Sequence, residues 1–294
     1  MNNTFIEFKK QRDFGQILSD TFGFIRNEFK PFLKAIISIS APALVLFIIS
    51  MSFYTYTVGD LFNFDAYSVG SFDVASPVIV ILAAIVYMVT LVLIFIFISS
   101  TALHYIREYV NNNGIVDFQI VKQNVYKSFW GYLGLGFLKY LSLGFAAVLC
   151  FFPVLYVMVP MFIVYSIYVL EPRRGATDSY SYSFYLINED FWLTIGCMIV
   201  LFILMYVLSM VFSIPTVIYS YIKMGIFSGS INIADYNVFS DPIYILLNVL
   251  STLFSLFLNL IFIVASAFIY FHLNEKRNFT GTYERISNIG KIEE

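Results

Sequence analysis

The ionisable side chains best placed to do chemistry gather in one stretch, "LEPRRGATDSYSYSFYLINEDFW", with Glu171, Arg173 and Arg174 at one end and Glu189 and Asp190 at the other. Such a cluster fits a docking site for a partner or for anionic lipid headgroups. It fits equally a solvated turn whose charges screen one another, and the sequence leaves both readings open. The two histidines, His104 and His272, each follow an apolar run, and neither belongs to an H-E-x-x-H pattern or a Cys/His cluster, so no metal is expected. There is no G-x-S-x-G elbow and no G-x-x-x-x-G-K-[ST] phosphate loop, which argues against hydrolysis and phosphoryl transfer. No catalytic, cofactor-binding or metal-binding residue is therefore assigned.

Two further patterns have polar character inside apolar surroundings. Asn248, Thr252, Ser255, Asn259 and Ser266 recur close to one helical face. They suit a hydrated groove or, as the commoner use, hydrogen bonds between packed helices. "GYLGLG" at 131–136 enters an apolar run, where glycines serve close helix packing better than a ligand. Lys139 stands near the start of the same run and can snorkel to the interface.

What positions these residues follows from composition. Of 294 residues, 60% are hydrophobic and 12% charged, with a mean hydropathy of +0.81, which a water-soluble globule cannot bury. The expected fold is an all-α polytopic membrane domain. A bilayer core of about 30 Å takes roughly 20 apolar residues per helix, and six stretches qualify, at 32–54, 76–100, 131–152, 153–170, 191–214 and 242–271. The third and fourth form one run, divided before Pro153, which disfavours helix in the residue preceding it. Residues 1–31 form an N-terminal segment and 272–294 a tail, within a single membrane domain.

Orientation follows from Lys and Arg, which collect in cytoplasmic segments. The N-terminal segment holds six, the second connection three, the fourth two and the tail four, which predicts both termini in the cytoplasm of a bacterial inner membrane. The opposite side receives residues 57–73, with three Asp and no base, and residues 215–241, an apolar segment that could form an interfacial or re-entrant helix. Within it, "SDP" at 240–242 reads as a helix start. The N-terminus lacks the apolar core and cleavage site of a signal peptide. Cys150 and Cys197 both fall in apolar runs and read as small buried hydrophobes. A net charge of -2 without any long basic tract excludes nucleic acid as a partner.

A repeated segment precedes alternate spans. Tyr180, Phe184, Ile187, Phe191 and Ile195 form an apolar stripe at helical spacing, and Leu18, Phe22, Ile25, Phe29 and Leu33 repeat it 162 residues earlier. A weaker copy holds Val121, Val125, Ser128, Phe129 and Tyr132. With large aromatics on one face and serines and acids on the other, these segments are expected to be amphipathic elbows before spans one, three and five. They would lie in the membrane interface and turn into the next span at Pro31 and near Trp192.

The run "YSIYVLEPRRGATDSYSYSFYLINEDFWLTIG" and the opening "FGQILSDTFGFIRNEFKPFLKAI" resemble the membrane domain of the glycerophosphoryl diester phosphodiesterase membrane-domain family, which also occurs as stand-alone six-helix bacterial proteins. The matching positions are Glu171, Gly175, Ser183, Trp192 and Gly196. The resemblance implies six helices with amphipathic elbows and no diesterase activity, because that chemistry belongs to a separate soluble domain. The first functional expectation is thus a non-enzymatic scaffold, assembly or regulatory subunit contacting membrane lipids and other integral membrane proteins. Its contacts would be Glu171, Arg173, Arg174, Phe184, Glu189, Trp192, Phe22 and Phe29. The second is a channel or transporter using the face of Asn248, Thr252, Ser255 and Asn259, and the third a lipid-modifying enzyme.

Overall fold

In lipid the backbone has no water to bond, so its polar groups must be satisfied within each span, and a helix does this alone. The computed structural model describes residues 5–61, 75–149, 151–225 and 237–289, and the regular structure among them is helical throughout. The helices are α1 (Phe14–Leu61), α2 (Ala75–Asn111), α3 (Phe118–Leu149), α4 (Phe151–Leu170), α5 (Ala176–Ile187), α6 (Phe191–Lys223), α7 (Pro242–Asn278) and α8 (Thr280–Ile289), with a 3-10 turn at Asn237–Ser240. Six of them, α1 to α4, α6 and α7, are long and apolar enough to cross a membrane, and the chain is a multi-pass all-α membrane protein. The Ile- and Val-rich stretch of α2 would favour a strand in water, yet at a mean hydropathy of 3.2 it is helical here.

Several boundaries differ from those read in the sequence. No turn occurs at Pro31: α1 runs unbroken through it, because Pro31 lies on the exposed side and forfeits one backbone bond while buried residues before and after hold the helix. The segment expected as a second elbow is likewise the front of α3. Only the third is a separate helix, α5, ending at a short turn over 188–190. The third span ends at Leu149 and the fourth begins at Phe151, earlier than expected, which leaves Pro153 in the first turn of α4, where its missing N–H costs nothing. The second and sixth spans extend to Asn111 and Asn278, so both histidines lie within helices rather than after them. Span five passes Pro215 and ends at Lys223, so residues 215–223 are helical; residues 226–236 of that connection, most of 57–73, and Cys150 lie outside the described residues.

The chain forms two compact units. The first comprises Met1–Ile39, Ile96–Phe202 and Leu260–Glu294; the second comprises Ser40–Phe95 and Ile203–Asn259. In the first unit the buried face of α1 is Ile17, Thr21, Phe24, Glu28 and Phe32, spaced four, three, four and four. The stripe singled out in the sequence is the outer one: Phe22 and Phe29 are 38% and 54% exposed. The 162-residue repeat holds on the inner face too, through Ser179, Ser183, Leu186, Asp190 and Thr194, all buried except the half-buried Asp190. The serines of α5 are therefore not all on its wet face. Ser179 and Ser183 turn inward and donate to the carbonyls of Gly175 and Tyr180 at 2.9 and 2.7 Å, so a buried hydroxyl is satisfied by its own helix. Thr21, bonded to the Ile17 carbonyl at 2.7 Å, does the same in the first copy.

The N-terminal segment is packed into this unit. Phe8 stacks on Phe268 with centroids 4.2 Å apart and meets Phe24 and Phe271 edge-on. Arg12, buried over the Phe268 ring, bonds Asp20 and the carbonyls of Glu7, Phe8 and Lys10. Burial lowers the pKa of its guanidinium, against the pull of Asp20 and Glu7. At the other terminus, Phe279 adopts φ 52° and ends α7. The Glu275 carboxylate then accepts from the Gly281 and Thr282 N–H groups at 2.6 and 2.9 Å, capping α8. Gly281 is needed there because a Cβ would lie 2.4 Å from the Lys9 carbonyl oxygen.

In the second unit Ser50 and Thr90 share a 2.5 Å hydrogen bond, Tyr54 stacks on Tyr87, and Phe212 stacks on Phe254 at 4.4 Å. Asp241 begins α7, its Oδ1 accepting from the Ile243 N–H at 2.8 Å with Pro242 at the first helical position. Lys223 bonds its other oxygen at 2.9 Å and is the main reason the carboxyl is held at about 2.

Phe8 is 1% exposed and touches four aromatic rings, so Phe8→Ala should cost roughly 3–5 kcal/mol. Thermal unfolding in detergent, followed by exposure of the buried Cys197 thiol, should show a lowered midpoint. An unchanged midpoint would mean that the segment does not belong to the core.

Candidate functional site

The charged stretch that drew attention in the sequence lies in the first unit, around α5. Glu171 ends α4 and accepts from the Tyr270 hydroxyl at 2.8 Å and from Arg174 Nε. The Arg174 guanidinium lies 3.6 Å from the centroid of Tyr182; burial opposes its charge, but the Glu171 hydrogen bond and charge more than offset this and raise its pKa. At the far end of α5, Glu189 bonds Arg277 at 2.6 Å, and that guanidinium covers Tyr185. The salt bridges thus tie α5 to its neighbours at both ends.

Asp190 is the focus of a longer chain of bonds. The Arg12 backbone N–H donates to His272 Nδ1 at 2.9 Å, so the proton of the neutral ring sits on Nε2, which donates to Asp190 at 3.0 Å. Lys276 Nζ donates to the same carboxylate at 2.6 Å. Glu28, the counterpart of Asp190 in the first repeat, accepts from the Tyr105 hydroxyl at 2.8 Å. Each repeat therefore carries an inward acid satisfied by a donor near the end of another span. The other residues expected at a contact surface point outward or pack laterally: Trp192 is 81% exposed, Arg173 is exposed, and Phe184 rests against Tyr180 and Tyr156.

Two cavities open beside this framework. One, of about 530 Å³, is lined by Lys9, Arg107, Glu171, Arg174, Tyr270 and Glu284 among others and has mixed charge. The second, of about 490 Å³, is lined by His104 and Arg107 from α2, Asn124, Lys127 and Ser128 from α3, Tyr168 and Val169 from α4, and the turn from Pro172 to Ala176. Among the described residues its wall has four cationic side chains and no acid. In the sequence Arg107 and Lys127 bear only on orientation, and His104 belongs to no metal-binding pattern. The available signal was spacing: His104 and Arg107 are three apart, and Asn124, Lys127 and Ser128 are three and four apart, so each set shares one helix face.

The glycine-rich start of span three helps shape this region. A Cβ on Gly131 would lie 2.0 Å from the Tyr168 hydroxyl and one on Gly136 2.8 Å from that of Tyr165, which matches close packing against α4, whereas Gly134 faces open space. Lys139 lies with its ammonium 4.9 Å from the Tyr165 ring centroid. In the second unit, the polar face of α7 is satisfied within the helix: Thr252 bonds the Asn248 carbonyl at 2.9 Å, Ser255 that of Ser251 at 3.1 Å, and Asn259 that of Ser255 at 2.8 Å. Asn248 reaches the Tyr244 hydroxyl at 3.4 Å.

The fold and the site define a six-span, all-α membrane protein with an internally paired polar region and a basic cavity. No family model, curated protein or solved structure matches the chain.

Half-burial tends to raise the Asp190 carboxyl, but the bonds from Lys276 and His272 and the ammonium charge hold it below its ordinary 3.8. A carboxylate depressed in this way contributes its full stabilisation above pH 3.8 and loses it as pH falls through the lower folded value. Asp190→Asn should therefore be less stable than wild type at neutral pH and should lose less stability on acidification below that point, measured as unfolding midpoint against pH in detergent. Parallel profiles for the two proteins would contradict this.

Proposed function

We propose that the chain is a non-enzymatic membrane protein that scaffolds, assembles or regulates other integral membrane proteins. One observation carries this reading: the acids flanking α5, Glu171, Glu189 and Asp190, are each engaged by a cation or tyrosine of the same unit, while the large side chains of Phe22, Phe29 and Trp192 are left outward. The first feature builds a rigid framework, and the second supplies aromatic surface of the kind that anchors at interfaces. On this reading α5 and the fronts of α1 and α3 lie at the lipid interface as amphipathic surfaces, and lipids and neighbouring membrane proteins are the partners. Nucleic acid plays no part.

The site of action is the bacterial cytoplasmic membrane, with both termini in the cytoplasm. The Lys and Arg distribution supports this orientation, and the Lys9–Glu284 and Glu7–Arg285 ion pairs joining the N-terminal segment to α8 support placing both termini on one side. A C-terminal green fluorescent protein fusion should fluoresce, and an alkaline phosphatase fusion at the same point should be inactive. The reverse pair of results would invert the topology.

Extraction from the native membrane in mild detergent, followed by mass spectrometry, should recover a defined set of integral membrane proteins at fixed stoichiometry. Phe29→Ala/Trp192→Ala should lose them without a change in unfolding midpoint, since both side chains are outward. A bare monomer or homo-oligomer would overturn the scaffold reading.

A further inference from the structure

We propose that the basic cavity between α2, α3, α4 and the start of α5 is a binding site for a phosphate-bearing anion, either a lipid headgroup or a small soluble phosphate ester. The inference does not depend on the scaffold reading. Arg107, Lys127, Arg173 and Arg174 converge on one cavity of about 490 Å³ whose wall, among the described residues, holds no carboxylate. Among the described residues, Arg107, Lys127 and Arg173 form no ion pair with an acid, and only Arg174 is answered, by Glu171 at its side. Like charges brought together on one wall, with Arg107 and Arg174 half-buried and Lys127 and Arg173 exposed, repel one another and favour a counter-anion.

Two independent features give that anion a chemistry. The N-terminus of α5 opens at the cavity through Gly175 and Ala176, and Gly175 lies in an extended conformation that offers no side-chain cap, so the first-turn N–H groups remain for a ligand. Asp178 in that turn is exposed and is not part of the cavity wall. The second feature is His104, which lines the cavity and is only 5% exposed. The Ser128 hydroxyl donates to the Val125 carbonyl at 3.2 Å, so its oxygen accepts from His104 Nε2 at 3.0 Å. Nδ1, also buried, has no partner. With the proton on Nε2, Nδ1 is an acceptor that the phosphate oxygens cannot satisfy but that the hydroxyl of an esterified alcohol would. Guanidinium forks, an ammonium and helix N–H groups together match tetrahedral phosphate, and the volume accepts a phosphate bearing a small alcohol such as glycerol.

The test uses the full-length protein in neutral detergent, with two probes. In the lipid arm, native mass spectrometry compares retention of phosphatidylglycerol with that of phosphatidylcholine after delipidation. In the soluble arm, the rise in unfolding midpoint is titrated with glycerol 3-phosphate and inorganic phosphate. Arg107→Gln/Lys127→Gln should weaken binding at least tenfold. Arg26→Gln/Lys122→Gln, which removes the same charge at exposed positions away from the cavity, should leave it unchanged. Arg173→Gln, at an exposed turn, should weaken binding several-fold and serves as the reporter if the double variant misfolds. Retention of phosphatidylglycerol alone identifies a headgroup site, and stabilisation by the soluble esters identifies a small-molecule site. Binding of neither probe, or equal loss in the two double variants, overturns the proposal.

Discussion

The first unit depends on a partly buried chain of hydrogen bonds from the Arg12 main chain through His272 to Asp190 and Lys276. It joins the N-terminal segment, the end of the sixth span and the start of the fifth, three parts of the sequence that no local interaction could hold together. Its cost is the desolvation of an imidazole and the partial desolvation of a carboxylate, offset because both ring nitrogens are bonded, the ring is neutral and the carboxylate accepts from two donors. Phe8 and Arg12 follow from it: once the backbone at Arg12 is fixed on His272, the preceding residues lie along α7, and Phe8 stacks on Phe268. The Glu28–Tyr105 bond plays the matching part in the first repeat.

That arrangement divides the charged groups into two classes. Acids near the span ends are taken up by donors of the same unit, whereas, among the described residues, Arg107, Lys127 and Arg173 meet at a cavity without an ion pair to an acid. A stretch rich in both signs thus separates into a paired framework and a basic pocket. The framework makes α5 a fixed element rather than a loose connection, held at one end by Glu171 and Arg174 and at the other by Glu189 and Arg277. Fixed geometry at α5 is what allows its N-terminus to face the pocket.

Much of the fold was legible because apolar length reports spanning helices directly. The positions of the six spans and the start of α7 at Asp241–Pro242 follow from residue type. The 162-residue repeat was visible too, but its inward face was not, since an apolar stripe in a membrane protein can face lipid as readily as core. The stripe of Phe22 and Phe29 stood out because all five of its residues are apolar, while the packed face, at the same spacing, mixes Ile17, Phe24 and Phe32 with Thr21 and Glu28. Helix continuity through Pro31 and Pro215 was illegible for a related reason: proline disfavours a helix locally, but tertiary packing and the bilayer decide the outcome. In the charged stretch, Glu171 and Arg174 could be seen as partners three residues apart. Arg107, Lys127 and His104 come from distant segments, and only folding shows that they share a wall with Arg173.

The most direct test of this account is a double-mutant cycle between Asp190 and His272, with Asp190→Asn, His272→Ala and the double variant compared by unfolding free energy at neutral pH. If the partly buried chain of bonds holds the unit together, the double variant should lose distinctly less than the two single losses combined, with a coupling of about 1 kcal/mol or more. Losses that add within roughly 0.3–0.5 kcal/mol would show that the two residues act independently and would contradict the account.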